Sequence, residues 1–433
     1  MVNGDGARVE PFVPPAWEPS GGMPAIRITD VKVFLTAPDN IRLVVVKVLT
    51  SEPGLYGVGC ASYTTRPAAV RSAIEEYLRP LLLGRDPNDI EDIWQVGHIS
   101  GYWRTGPILM NALSGIDMAL WDIKGKRAGM PVYQLLGGKV RRAAAVYTHA
   151  SGREPKAVEE QARALMEEGF RFVRCQVDVP GNATYGVDEE EGPRQPYPPH
   201  LRARQGTWDT AAYARAVPRL FDHLRSTLGD EINLLHDIHE RLPPILAIGL
   251  AKALEPHRLF FLEDPFAPED NGYFPMLRQQ TSTPIAMGEL YVNQAEYVPL
   301  IKNRLIDFIR CHISAIGGIT PARKLATYSE FFGVRTAWHG PGDVSPIGHA
   351  ANLQLDLTCS NFGIQEWFRF GDAAREVFPG TPEVRDGMLW SNERPGLGID
   401  IDEALAAGYP LPDHPLNGGF PEVRQPDGTV IRW

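Results

Sequence analysis

Three acidic residues recur at one interval along the middle of the chain: Asp237 in LLHDIHE, Glu263 in FFLEDP and Glu289 in IAMGEL, one every 26 residues. That interval is one strand plus one helix. Each acid closes a short apolar run of the kind that forms a buried parallel strand, and each run is followed by a helical stretch. The three carboxylates are therefore expected at the same end of three neighbouring strands. Carboxylates gathered in this way need a cation, and oxygen-only ligands suit Mg²⁺, one per subunit, or Mn²⁺ in its place. The competing reading is three unrelated strand-end acids, each capping the helix that follows. The repeated interval favours the metal.

A chain of 433 residues exceeds one ordinary domain. Its net charge of −10, with no long basic run, argues against nucleic acid as a partner. No stretch approaches the apolar length of a membrane span. Residues 1–25 are rich in Pro and Gly and lack the apolar core of a secretory signal, so they read as a flexible lead-in to a cytoplasmic protein. Cys60, Cys175, Cys311 and Cys359 are far apart, which points to buried thiols in a reducing compartment.

From Ile26 to about Arg142 the pattern is α+β. ITDVKVFLT, IRLVVVKVLT and a run after EPGLYGVG read as an antiparallel meander, followed by helices over 67–83, 88–98 and 108–128. A second region, 143 to about 390, alternates short apolar runs with helices: AAAVYTHA, FRFVRCQV, INLLHDI, RLFFLED, TPIAMGE, IDFIRCHI, VRTAWHG and FGIQEW. Eight strand-helix units over about 250 residues match a (β/α)₈ barrel. The segment 391–433 is expected to return and pack on the small N-terminal domain. Between the second strand and the helix near Thr207 runs a loop of about 28 residues, 180–207, far longer than the usual connection. It reads as a lid, an oligomer contact or a partly disordered segment.

In such a barrel the functional residues project from the C-terminal ends of the strands. The second strand ends in Arg174, and the loop beyond it carries Tyr185. A nearby guanidinium and a divalent cation both favour phenolate, so Tyr185 paired with Arg174 is a candidate proton acceptor; the bland reading is a packing aromatic and a surface arginine. His239 lies two residues past Asp237, on the same side of an extended strand, and imidazole there suits a general acid. His236 is expected to point into the helix layer. Arg310, His339 and Glu366 end the sixth, seventh and eighth strands, and His312 is harder to place. The glycines at 57–59 and 317–318 have neither the spacing of a dinucleotide fingerprint nor that of a P-loop.

This constellation resembles the enolase superfamily, and within it the mannonate dehydratase subgroup. The resemblance is carried by DIEDIWQ, GYWRTGPILMNAL, DMALWDIKGKRAGMPVYQLLGG, LLHDIHER, FFLEDP, HGPGDVSP and NFGIQEW. It implies an α/β fold, a (β/α)₇β barrel of the TIM type under an N-terminal α+β capping domain; the chain is expected to form a homo-oligomer. It further implies Mg²⁺ on Asp237, Glu263 and Glu289, Tyr185 with Arg174 as base, and His239 as the acid that helps the 3-hydroxyl leave. Asn40, His149, Arg310, His339 and Glu366 then match positions that hold a sugar acid. Relatives with a Lys-x-Lys base would need lysine where Arg174-Cys175-Gln176 stands, and those with a His-Asp dyad would need an Asp at the end of the sixth strand.

The implied activity is dehydration of D-mannonate, D-gluconate or both to 2-keto-3-deoxy-D-gluconate. Pro341 replaces the Ala of efficient members, and Leu397 a larger aromatic residue, which implies low activity. The alternatives are a dehydratase or epimerase of another sugar acid, or a sugar-acid-binding regulator with vestigial catalysis.

Overall fold

A computed structural model describes residues 24–104, 106–179, 208–412, 425 and 427–431. The lead-in before residue 24, the loop 180–207 with Tyr185 in it, and most of the last twenty residues lie outside the described residues. Near the N-terminus, β1 (Ile28–Thr36), β2 (Leu43–Thr50) and β3 (Tyr56–Cys60) pair as an antiparallel meander in that order. Six consecutive residues of β2 are buried, because the strand is covered on both faces. Helix Pro107–Ala128 packs against it, and Lys47 reaches Glu403 of the C-terminal segment at 2.6 Å.

Eight parallel strands form the larger unit: β4 (Ala144–Gly152), β5 (Phe172–Val177), β6 (Asn233–Asp237), β7 (Phe261–Glu263), β8 (Ile285–Met287), β9 (Phe308–Ile309), β10 (Arg335–Thr336) and β11 (Gln365–Glu366). They neighbour one another in chain order. β11 pairs with β4, and a bridge from Thr336 to Phe362 joins the remaining edge, so the sheet closes. Among the described residues seven α-helices, from Pro155–Glu167 to Pro346–Thr358, lie between the eight strands, one in each connection, as a (β/α)₇β barrel requires. A hairpin of β12 (Glu383–Arg385) and β13 (Met388–Trp390), which the apolar pattern does not reveal, adds antiparallel to the start of β4.

The barrel interior holds its own apolar layer, made of Tyr147, Leu235, Phe261, Ala286, Phe308, Ala337 and Ile364. Side chains alternate in and out along a strand, so the residue two positions further on points inward again, one layer nearer the mouth. Applied to that layer, the rule yields His149, Asp237, Glu263, Gly288, Arg310, His339 and Glu366. An apolar floor beneath a polar mouth thus follows from period two alone.

Cap and barrel share one contiguous core, in which Val44 and Ile116 belong to the same cluster as Val173 and Ile285. Polar clasps cross the seam: Trp121 Nε1 donates to Thr320 Oγ1 at 2.9 Å, Trp94 Nε1 to Gly317 O at 2.9 Å, and Ser314 Oγ to Cys60 O at 3.2 Å. The Gly317–Gly318 pair, both at positive φ, makes the turn that brings the Thr320 N–H onto Asp117 Oδ2 at 2.9 Å. No helix among the described residues is long and apolar enough to cross a membrane.

Candidate active site

Asp237 and Glu263 are register partners at the ends of β6 and β7. Asp237, Glu263 and the next residue, Asp264, each place a carboxylate oxygen within 4.8 Å of the others, and all three side chains are buried. Glu289 stands differently. The register partner of Glu263 on β8 is Ala286, three residues before Glu289, and Gly288 occupies the position in the polar layer. Gly288 has φ +138°, and its N–H donates to Asp264 Oδ1 at 2.9 Å. An equal interval in sequence therefore does not give equal height in the barrel: Glu289 returns to the mouth from outside the strand. There its Oε1 lies 2.9 Å from His239 Nε2, and its Oε2 lies 3.3 Å from His339 Nδ1.

Two arginines thread this acidic ring. Arg174 Nη1 donates to Asp237 Oδ2 (3.2 Å), Glu263 Oε2 (2.9 Å) and Glu366 Oε1 (3.3 Å). Arg310, fully buried, donates through Nη1 to Asp264 Oδ2 (2.7 Å) and Glu289, and through Nη2 to Glu366 Oε2 (2.6 Å) and Tyr147 Oη (3.3 Å). His149 Nε2 is 2.8 Å from Glu366 Oε1. The surface arginine of the bland reading is excluded, since Arg174 is 4% exposed.

Four buried carboxylates, Asp237, Glu263, Asp264 and Glu366, and the partly buried Glu289 thus face two guanidiniums. Burial pushes the Glu263 carboxyl up to about 7 despite Arg310 and Arg174, with Asp237 and Glu366 adding to the rise. Asp264 is raised well above its ordinary range for the same reason. Burial would also raise Glu289, but His239 and His339 hold it well below that range. For Glu366, Arg310 and His149 likewise overcome burial. The Glu263 Oε1 atom is buried and accepts no hydrogen bond among the described residues. An unsatisfied carboxylate oxygen inside a surplus of buried negative charge is what a hard divalent cation relieves, so the residues fit such an ion.

His339 sits between acids. Burial lowers its pKa, but Asp343 and Glu289 more than reverse this, to about 10. His312 lies against it, with ring centroids 5.2 Å apart, and burial holds that ring down to about 4. His236 is turned outward as the alternation requires: its Nδ1 bonds Cys175 O at 2.9 Å and its Nε2 the Tyr213 hydroxyl at 2.8 Å, in the helix layer.

Of the residues singled out in the sequence, Arg174, His149, Asp237, His239, Glu263, Glu289, Arg310, His339 and Glu366 meet at this mouth. Tyr185 lies outside the described residues. Asn40 is exposed on the cap turn Pro38–Asn40 at φ +60°. Its neighbour Ile41 touches the Gly342 position, which sets that turn over the 340–343 segment. Leu397 is elsewhere: it is buried, and its N–H donates to Asp122 Oδ1 at 2.8 Å in the seam with helix Pro107–Ala128. Asp264 and Asp343 went unmarked in the sequence reading, although Asp264 stands beside Glu263 in the same LEDP motif. A groove of about 890 Å³ lined by Trp94, Met110, Val292, Lys324 and Tyr328 contains none of the acids. Buried charge, not groove size, locates the site.

Residues 24–137 match the mandelate racemase / muconate lactonizing enzyme N-terminal domain, and residues 157–405 the enolase C-terminal domain-like family. A D-galactonate dehydratase family member, RspA of Pantoea ananatis, is 59% identical over 94% of this chain and 99% of its own length. Another, SEN1436 of Salmonella enteritidis, is 57% identical over 94% of this chain and 99% of its own. A crystal structure of an enolase from Pantoea ananatis with bound D-gluconate and Mg superposes with a TM-score of 0.87 at 57% identity, covering 94% of this chain and all of that one. A putative galactarate dehydratase from Agrobacterium radiobacter, with bound Na and L-malate, gives 0.77 at 26% identity, covering 94% of this chain and 99% of its own. With both domain families in chain order and relatives matched over nearly their whole length, the chain belongs to the enolase superfamily, and within it to the D-galactonate dehydratase family.

Proposed function

We propose that this protein is a Mg²⁺-dependent hydro-lyase that removes water from a sugar acid, D-mannonate, D-gluconate or both, to give 2-keto-3-deoxy-D-gluconate at low rate. The observation that carries the reading is the surplus of buried carboxylates around Glu263, whose Oε1 has no hydrogen bond among the described residues, with His239 at the same mouth, 2.9 Å from Glu289 Oε1. D-Gluconate and Mg bound in the Pantoea structure support the same reading.

Asp237, Glu263 and Glu289 are the assigned metal ligands. Asp264 is a second candidate for the third place, because its carboxylate stands nearer the other two. The ion, when bound, supplies positive charge that neutralises the acids and stabilises an enolate oxygen. Tyr185, as the phenolate that the Arg174 guanidinium favours, takes the proton from C2 and becomes the neutral phenol. His239 gives its proton to the departing 3-hydroxyl, which leaves as water, and the resulting enol becomes the 2-keto acid. Asn40, His149, Arg310, His339 and Glu366 hold and orient the acid. Arg310 and Glu366, hydrogen-bonded to each other at 2.6 Å, belong to the polar layer above the apolar floor, together with His149 and His339.

The test is a sugar-acid panel scored for 2-keto-3-deoxy product with Mg²⁺ and with a chelator. Product from D-gluconate or D-mannonate, lost on chelation and with kcat/KM several decades below about 10⁴ M⁻¹s⁻¹, is expected. Rapid turnover of D-mannonate would overturn the low-rate part. Binding without product would favour the regulator reading instead, and product or epimer from some other acid alone would favour the other alternative.

A further inference from the structure

His312 follows Arg310 by two residues, past the end of β9, and its ring lies against His339 at the mouth, with centroids 5.2 Å apart. The Ser314 backbone N–H donates to His312 Nδ1 at 3.1 Å, so Nδ1 must be the unprotonated nitrogen. A neutral ring then carries its hydrogen on Nε2. That tautomer turns Nε2 into a donor and removes it as a metal ligand, although His312, His339 and Asp343 lie close enough together to suggest a second metal site. Nε2 is 3.9 Å from Asp343 Oδ2, too far for a direct hydrogen bond. No hydrogen bond to Nε2 occurs among the described residues. The Asp343 side chain is 39% exposed at the rim, and its other oxygen lies 3.3 Å from His339 Nε2.

A donor and an acceptor 3.9 Å apart frame one hydroxyl group. An oxygen at roughly 2.8 Å from each subtends about a right angle between them, within reach of the accepting and donating directions of a single hydroxyl. We propose that His312 Nε2–H and Asp343 together read one hydroxyl of the sugar acid on the chain end remote from its carboxylate, making His312 a specificity-determining residue. This rests on the sugar-acid reading above. The hydroxyl accepts from His312 and donates to Asp343 Oδ2, so an acid lacking it leaves the His312 Nε2–H without that acceptor, and a site built to hydrogen-bond a hydroxyl discriminates against an acid without one.

Two variants separate recognition from structure. His312→Asn keeps an acceptor near Ser314 N–H and loses the distal donor. His312→Gln loses that acceptor and keeps a donor near the Nε2 position. Affinities for D-gluconate and for the three-carbon D-glycerate are measured by calorimetry with Mg²⁺ present. Expected in His312→Asn is a Kd for D-gluconate raised about 10- to 100-fold, with D-glycerate unchanged within about 2-fold. His312→Gln should stay within about 3-fold of the parent on both. Equal weakening of both acids in His312→Asn, or no weakening, would overturn the proposal. Should that variant not fold, Asp343→Ala carries the test: it must weaken D-gluconate and spare D-glycerate, and the opposite outcome refutes the shared hydroxyl. If the parent protein binds neither acid, the sugar-acid reading itself fails, and this inference with it.

Discussion

Asp264 and Glu289 compete for one role, and their surroundings set the terms. Glu289 is held by two imidazoles and Arg310, whereas Asp264 is held by Arg310 and one backbone N–H. Neutralising a true ligand removes a charge from the coordination shell; neutralising a neighbour only relaxes the field around it. Asp264→Asn is therefore expected to weaken Mg²⁺ by about 10- to 100-fold at most, the range of neighbouring-shell effects, and Glu289→Gln by more than that. Calorimetric titration of both variants decides it, and the reverse order would make Asp264 the third ligand.

At the scale of elements, the GVG run that has no place in a phosphate loop finds its reason in packing. A Cβ at Gly57 would meet Ala119 O at 2.0 Å, and one at Gly59 would meet Gly115 O at 2.0 Å. Strand β3 and helix Pro107–Ala128 thus touch backbone to backbone, which only glycine permits. Gly59→Ala must push two backbones apart and should cost at least about 3 kcal/mol. Gly54→Ala, at φ +79° with open space around it, should cost only about 1 kcal/mol of backbone strain. Chemical denaturation of the two variants tests the contrast, and equal losses would mean that the close approach is not what constrains β3.

The legibility of the sequence varies along the same lines. Strand ends carrying Asp237, Glu263, Arg310, His339 and Glu366 were readable because period two and the apolar runs agree. The strands themselves were overestimated: IDFIRCHI and VRTAWHG each contain only two paired residues, in β9 and β10, since the chain leaves the ladder as soon as the mouth is reached. The height of Glu289 was not readable, because a one-residue offset at a positive-φ glycine leaves the spacing unchanged. Nor was the place of Leu397, which long-range return of the C-terminal segment decides. His312 stayed ambiguous until the Ser314 N–H fixed its tautomer, a contact that no periodicity encodes.

For the whole molecule, the question is whether cap and barrel behave as one body or two. The contiguous core and the clasps at Trp94, Trp121 and Ser314 argue for one cooperative unit. Cys60 sits at that seam, with its carbonyl accepting from Ser114 Oγ at 3.1 Å and from Ser314 Oγ at 3.2 Å, while Cys175 and Cys311 are buried within the barrel. Three sealed thiols in two regions of one chain form a set of kinetic clocks. A buried thiol reacts with an alkylating reagent only when its surroundings open. In a Cys359→Ser background, which removes the partly exposed fourth thiol, Cys60 is expected to be labelled at the same rate as Cys175 and Cys311, each waiting on the same global unfolding event. Earlier labelling of Cys60 would show the cap lifting from an intact barrel, and its rate would time how often the mouth is uncovered.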